Sequence, residues 1–172
     1  VGGALPFVPV TPCRIVDTRL AGGAIVAGSR TFDATLANYS SQGGKAGSCG
    51  LPTGSVVASV QLNLGAISQN NKTSDIKGWA TGTAEPTASL VNYNPSGPVA
   101  NMVTMQINAS GQFTLKTPGS AHVFAVAPDV RTSSTSQTSR PATRRAAPRV
   151  SRNAPRTFAA RASCGRSVCG AV

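Results

Sequence analysis

Few residues of this chain could do chemistry. There are five acids (Asp17, Asp33, Asp75, Glu85 and Asp129) and one histidine, His122, in 172 residues. Nucleophilic hydrolysis needs a base beside a serine or cysteine. The one imidazole alternates with Phe124 and Val126 and reads as a core or edge histidine. Glycoside hydrolysis needs two facing carboxylates, and the scattered acids mark no pair. No Walker-type glycine loop, G-x-G-x-x-G or H-E-x-x-H occurs. The inventory argues against an enzyme and implies no cofactor. Asp17 and Arg19, on either side of Thr18, stand at i and i+2, which in a strand puts both on one face. One role for such a pair is ligand binding, to a sugar or a partner's carboxylate. The simpler role is structural, with Asp17 accepting backbone N–H bonds and Arg19 pairing across strands.

Other candidates are binding residues. Sugars stack on exposed aromatics, and Trp79, Tyr39 and Tyr93 are the candidates, Trp79 in the polar context Lys77-Gly78-Trp79. The plainer alternative is rim or core aromatics. Four cysteines, Cys13, Cys49, Cys164 and Cys169, are an even number in a small, lysine-poor, turn-rich chain, which favours disulfides over metal. Zinc would want C-x-x-C or C-x-x-H spacing, and neither occurs; no metal site is expected.

Charge is unevenly placed. Residues 1–130 carry a net +2, whereas residues 131–172 hold nine arginines and no acid, so the basic character belongs to the tail. Arg140, Arg144, Arg145, Arg149, Arg152, Arg156, Arg161 and Arg166 could bind nucleic acid with a steep salt dependence, though Phe158 alone offers no interleaved stacking. The same charge would suit an anionic envelope surface. The tail has too few large apolar groups to offset the entropy of ordering, and a neighbouring subunit is the surface expected to order it. Arginine without lysine amid Ala, Pro and Ser is also what a shifted reading frame of a GC-rich gene yields.

The elements that must position these residues read as strands. Period-two alternation marks Ser55–Ile67 (Val56, Ala58, Val60, Leu62 and Leu64 on one face), Ala100–Ala109 (Val103, Met105, Ile107), Gln112–Thr117 (Phe113, Leu115) and Arg30–Ala37 (Phe32, Ala34, Leu36). Cys13–Arg19, Ser89–Asn94 and His122–Val126 are further strands. Gly22-Gly23, Gly43-Gly44, Asn70-Asn71, Pro95-Ser96-Gly97-Pro98, Ser110-Gly111 and Pro118-Gly119 are turn signals. The clearest hairpin joins Ala100–Ala109 to Gln112–Thr117. The pattern predicts an all-β, antiparallel single domain over 1–130, a sandwich, jelly roll or small barrel, followed by an Arg-rich extension over 131–172. No run of about 18 apolar residues exists, so no transmembrane segment is expected. The opening Val1-Gly2-Gly3-Ala4 reads as a mature end after signal-peptide removal.

One string carries a resemblance. Pro12-Cys13-Arg14-Ile15-Val16-Asp17-Thr18-Arg19 resembles the P-x-R-[ILV]-[LV]-D-T-R opening of a family of exported bacterial β-domains. Phe7-Val8-Pro9-Val10, Ser48-Cys49-Gly50-Leu51-Pro52, Val56–Leu64, Ala88–Asn94 and Val99-Ala100-Asn101 are similar to its later segments, in order. The resemblance covers roughly residues 5–127 and departs from the family at its closing strand. It implies a β-fold, a secreted or cell-surface location and no known catalysis. It also implies a Cys13–Cys49 disulfide, the alternative being two reduced, buried thiols. Cys164 and Cys169 close a small loop or bond to other subunits; both options stand. The expectation is a non-catalytic extracellular structural or surface protein that self-associates, as a homo-oligomer or polymer such as a fibre or sheath, or attaches to the envelope. A module for cell-wall carbohydrate is the alternative, and nucleic-acid binding through the tail a second.

Overall fold

The computed structural model describes residues 6–51 and 57–132. The basic tail, with Cys164 and Cys169, lies outside them. Seven strands follow in order: β1 (Phe7–Asp17), β2 (Ile25–Asp33), β3 (Val57–Ser68), β4 (Ser74–Ala80), β5 (Val91–Tyr93), β6 (Val99–Gln106) and β7 (Gln112–Thr132), with one short 3-10 turn at Ser40–Gln42. All pairings are antiparallel. The predicted all-β single domain is what forms. Of the layouts expected, the barrel comes nearest, because the strands belong to one sheet that curls until it almost closes.

The 21-residue β7 is the spine. Its first half pairs with β2 and β4, and its second half with β1 and β3. The chain from 7 to 33 therefore runs antiparallel along β7 with one interruption, at 18–24. The chain from 57 to 80 does the same, interrupted at 69–73. Residues 91–106 run antiparallel to 57–80, interrupted at 94–98. These excursions fall together with Pro118-Gly119 on β7, between the pairs Thr117↔Gly28 and Ser120↔Val26. Proline cannot donate to the ladder, so the pairing breaks there, a crease between two halves that share one core. Ile15, Val60, Leu62, Leu64, Ile76, Met105, Phe113, Leu115 and Val123 fill that core and are essentially inaccessible to solvent.

Several expectations need correction. Pro118-Gly119 is not a turn but part of β7. The hairpin expected through Ser110-Gly111 does not form. The turn is there, with Gly111 N–H donating to Asn108 O at 2.9 Å, but β6 pairs with β3 and β7 turns away to other partners. Alternation reports which face of a strand is buried and carries no information about its neighbour. In β3 the register shift between Val57 and Ser59 inserts a residue, so Val57 is buried, contrary to the predicted face. β4 was not foreseen as a strand. Its inward positions are Ile76, Gly78 and Ala80, and two small residues give no hydrophobic signal. Gly78 sits in a tight place: a Cβ there would come within 2.6 Å of Met105 Cε, 2.8 Å of Leu90 Cδ1 and 2.9 Å of Leu115 Cδ2, and those side-chain ends would have to move.

Candidate functional site

The Asp17–Arg19 string sits where the chain leaves β7 at the crease. β1 ends at Asp17 because Thr18 replaces the next ladder step with its own side chain. Its N–H donates to Val123 O (2.9 Å), and its Oγ1 accepts the Val123 N–H (2.9 Å). The carbonyl of Asp17 accepts the N–H groups of Leu20 (3.0 Å) and Ala21 (3.3 Å), closing the turn. Gly43 packs against that carbonyl at φ 73°, a left-handed conformation in which a Cβ would also collide with the Asp17 backbone.

The turn brings Arg19 back over Asp17. Arg19 Nε donates to Oδ1 (2.8 Å) and Nη2 to Oδ2 (2.6 Å), a bidentate fork. The Arg19 N–H (3.2 Å) and Arg14 Nη1 (2.8 Å) complete the shell. The carboxylate is buried, while the arginine side chains are 42% and 45% exposed for Arg19 and Arg14. The Arg19 hydrogen bonds hold the Asp17 carboxyl below its usual value, against the opposing effect of burial. The Arg19 guanidinium carbon also lies 5.3 Å from the centre of the Phe124 ring. Phe124 in turn lies over Gly65, its partner in β3, where a Cβ would overlap the ring. The result is a stacked outer layer in which Gly65, Phe124, Arg19 and Asp17 tie β3, β7 and β1 together.

This arrangement corrects the expected strand geometry. Arg19 is in the turn after β1, so its pairing is local and not across strands. Arg14 and Phe124 were not singled out from the sequence. Arg14 is in the same string, three residues before Asp17. Phe124 and Gly65 are distant in sequence and left no local mark.

Thr18, His122 and Asp17 invite comparison with a nucleophile, base and acid. His122 Nδ1 lies 3.1 Å from Thr18 Oγ1. But Thr18 is fully buried, its hydroxyl oxygen is engaged by a backbone N–H, and the Asp17 carboxylate faces two arginines and not the imidazole. The trio lacks the geometry of a hydrolytic triad. Its chemistry is that of a polar lock.

A second staple covers the outer edge of β1 and β2. Cys13 and Cys49 form the disulfide, with Cα atoms 5.7 Å apart. The segment between them folds back along the edge. Lys45 N–H donates to Arg14 O (2.8 Å) and Gly43 bridges Val16. The Gln42 amide donates to Ile15 O (3.2 Å) and Asp33 O (3.0 Å) and accepts the Asp33 N–H (2.7 Å), stitching the two strands.

Two of the three proposed sugar platforms are not platforms. Tyr39 and Tyr93 are buried. Tyr39 Oη donates to Ala34 O (2.9 Å) and Tyr93 Oη pairs with Thr117 Oγ1 (2.9 Å). A tyrosine core position with a hydrogen-bonded hydroxyl reads, in sequence, like a surface one. Burial, with a smaller contribution from Asp33, pushes the Tyr39 hydroxyl up to about 12. Trp79 is half-buried on the outer face of β4, opposite Thr114. One row along, Lys77 faces Lys116, and Glu85 bridges them (3.3 and 2.7 Å). These bonds, chiefly that from Lys116, lower the Glu85 pKa. The Thr31, Thr114 and Thr81 hydroxyls form a chain beside the indole (3.3 and 2.9 Å). Among the described residues no cluster of His, Cys, Asp and Glu could hold a metal, and no helix is long and apolar enough to cross a membrane.

Fold and cluster together define a class: a disulfide-stapled antiparallel β-domain curled nearly into a barrel, locked at its crease by an Arg–Asp–Arg cluster. The disulfide is consistent with an oxidising, extracytoplasmic location. No protein family, curated relative or solved structure matches the chain.

Proposed function

We propose that this chain is a non-catalytic extracellular structural or surface protein that associates with copies of itself or with the cell envelope. One observation carries the reading. Among the described residues the sheet has two long edges, and they are treated differently. The β1–β2 edge is interrupted by Pro9 and Pro12, plugged by Gln42 and Lys45 and stapled by the disulfide. The β6 edge, Val-Ala-Asn-Met-Val-Thr-Met-Gln, has no charge and no proline, and among the described residues β6 pairs only with β3. An uncharged, unpaired strand is a template for another chain. The resemblance to exported bacterial β-domains supports the extracellular setting, and a basic tail fits an anionic envelope. Sedimentation velocity of the full chain from micromolar to millimolar concentration tests the reading, together with pull-down on isolated envelopes. A monomer throughout that also fails to bind envelopes refutes it.

A second reading, carbohydrate binding, is favoured by Trp79, whose indole shares the outer face with threonine hydroxyls and the Glu85-bridged lysines. Pull-down on cell-wall polysaccharide, with Trp79→Ala as control, separates it from the first. Nucleic-acid binding rests on the tail alone, and a salt titration that shows no slope removes it.

A further inference from the structure

We infer that the self-association is a closed, two-fold pairing of β6 with β6 of a second copy, with Met102 opposite Thr104 across the junction. The inference rests on the self-association reading and deepens it.

The argument begins with which backbone groups face outward. Ile107 N–H donates to Ala58 O, and the β3–β6 ladder continues from that point without a register shift, from Ser59↔Gln106 to Ala66↔Val99. In an antiparallel ladder hydrogen-bonded pairs alternate with non-hydrogen-bonded ones. Met105, Val103, Asn101 and Val99 therefore spend their N–H and C=O groups on β3. Ala100, Met102, Thr104 and Gln106 turn theirs outward, and these four residues are exposed. Met102 is 52% exposed, one of the few large apolar side chains left in water.

Next, the partner strand must be found. Head-to-tail addition would place β6 of one copy on the β1–β2 edge of the next. On β1, Lys45, Gln42 and Gly43 already occupy Arg14, Ile15 and Val16, and Pro9 and Pro12 interrupt the stretch before them. On β2, Ala34 N–H donates to Gly111 O, so Phe32 and Arg30 face β7, and Ser29, Thr31 and Asp33 face away. Asp33 is taken by Gln42, and the register shift at Val26–Gly28, with Ala27 at φ 41°, ends the straight edge beyond Ser29. What remains is too short to template a strand. Among the described edges, β6 offers the one long match for β6.

A strand pairing with itself about a two-fold axis must join outward-facing residues to outward-facing residues. The register that uses all four places Ala100 opposite Gln106 and Met102 opposite Thr104, each twice. Behind them on β3 stand Gly65, Asn63, Gln61 and Ser59, so no like charges meet across the junction. Isologous contacts close. Through this edge the chain makes a pair and not a fibre, and any larger assembly must use another surface.

The test uses the full chain in sedimentation equilibrium, with Thr104→Pro and Thr104→Lys. Proline removes an N–H that points away from β3, and lysine adds charge without touching the ladder; unfolding midpoints establish that each variant is folded. The expected result is a monomer–dimer equilibrium weakened at least tenfold in both folded variants. For the register, Met102→Cys and Thr104→Cys proteins, each carrying Cys164→Ser and Cys169→Ser, are mixed under mild oxidation. A Cα separation of about 5.5 Å in a hydrogen-bonded pair is within disulfide reach, so the mixed pair should crosslink, and the mixture of Ala100→Cys with Thr104→Cys should not. Dimers unaffected by either Thr104 variant overturn the inference and leave the self-association reading intact. Open polymers weakened by those variants overturn the closed pairing. A monomer at every concentration overturns the inference and removes self-association from the reading.

Discussion

Replacing Asp17 with Asn keeps the shape of the side chain and removes its charge. Three side-chain bonds from Arg14 and Arg19 converge on the carboxylate, with a fourth from the Arg19 backbone. Hydrogen bonds to a charged group are worth about 1.5–3 kcal/mol each, and bonds to one acceptor do not add. Both guanidinium groups are partly exposed and rehydrate when released, which lowers the cost toward the surface limit. The asparagine N–H group, in turn, faces donors in a buried place and lacks an acceptor. The balance is a loss of about 2–4 kcal/mol. At roughly 3–5 °C per kcal/mol for a domain of this size, the midpoint should fall about 10 °C. Urea unfolding gives the free energy, and a double-mutant cycle apportions it. Arg19, with a fork and a backbone bond, should couple to Asp17 more strongly than Arg14, which makes one bond. The acid limb adds a sign. Because the native carboxyl is held below 3.8, its stabilisation is present above that pH and is lost as pH falls through the native value; the Asn variant should lose that part of the acid sensitivity. A loss under about 1 kcal/mol, or equal coupling to the two arginines, refutes the lock.

Three further outcomes follow from the same geometry. Removing the Cys13–Cys49 bond, which spans 36 residues, should cost about 3–4 kcal/mol by the chain-entropy argument; urea titration of the Cys13→Ala, Cys49→Ala protein measures it, and no loss would mean that the edge segment holds without its staple. Tyr39, pushed up to about 12, prefers its neutral form when folded. Its contribution is intact below pH 10 and declines as pH rises toward 12, so phenolate absorbance at 295 nm should show Tyr39 ionising late, or only with unfolding. Asp129 has the opposite character to Asp17. Burial raises its pKa against the pull of Arg131. The native state favours the protonated form, so this group's contribution falls as pH rises through 3.8 toward the native value. Asp129→Asn should therefore leave stability unchanged or raised at pH 7, and a fall of more than about 1 kcal/mol would contradict the sign.

The sequence by itself determined the fold class and much of the core. Val60, Leu62 and Leu64, Val103, Met105 and Ile107, and Phe113 and Leu115 lie on the predicted faces because burial of a sheet face imposes period two locally. It also drew attention to Asp17, Thr18 and Arg19; the hydrogen bonds of Asp17 and Arg19 are largely to each other and to Arg14, all within one string. The tertiary structure alone decided what depends on contacts between distant segments. β6 pairs with β3 and not β7, Tyr39 and Tyr93 are interior, and Arg19 stacks on Phe124 above Gly65. Alternation says which side of a strand is apolar, and pairing says which strand lies beside it. The second is set by how two ribbons line one long spine and a third lines one of them, a property of the whole chain that no window of sequence contains.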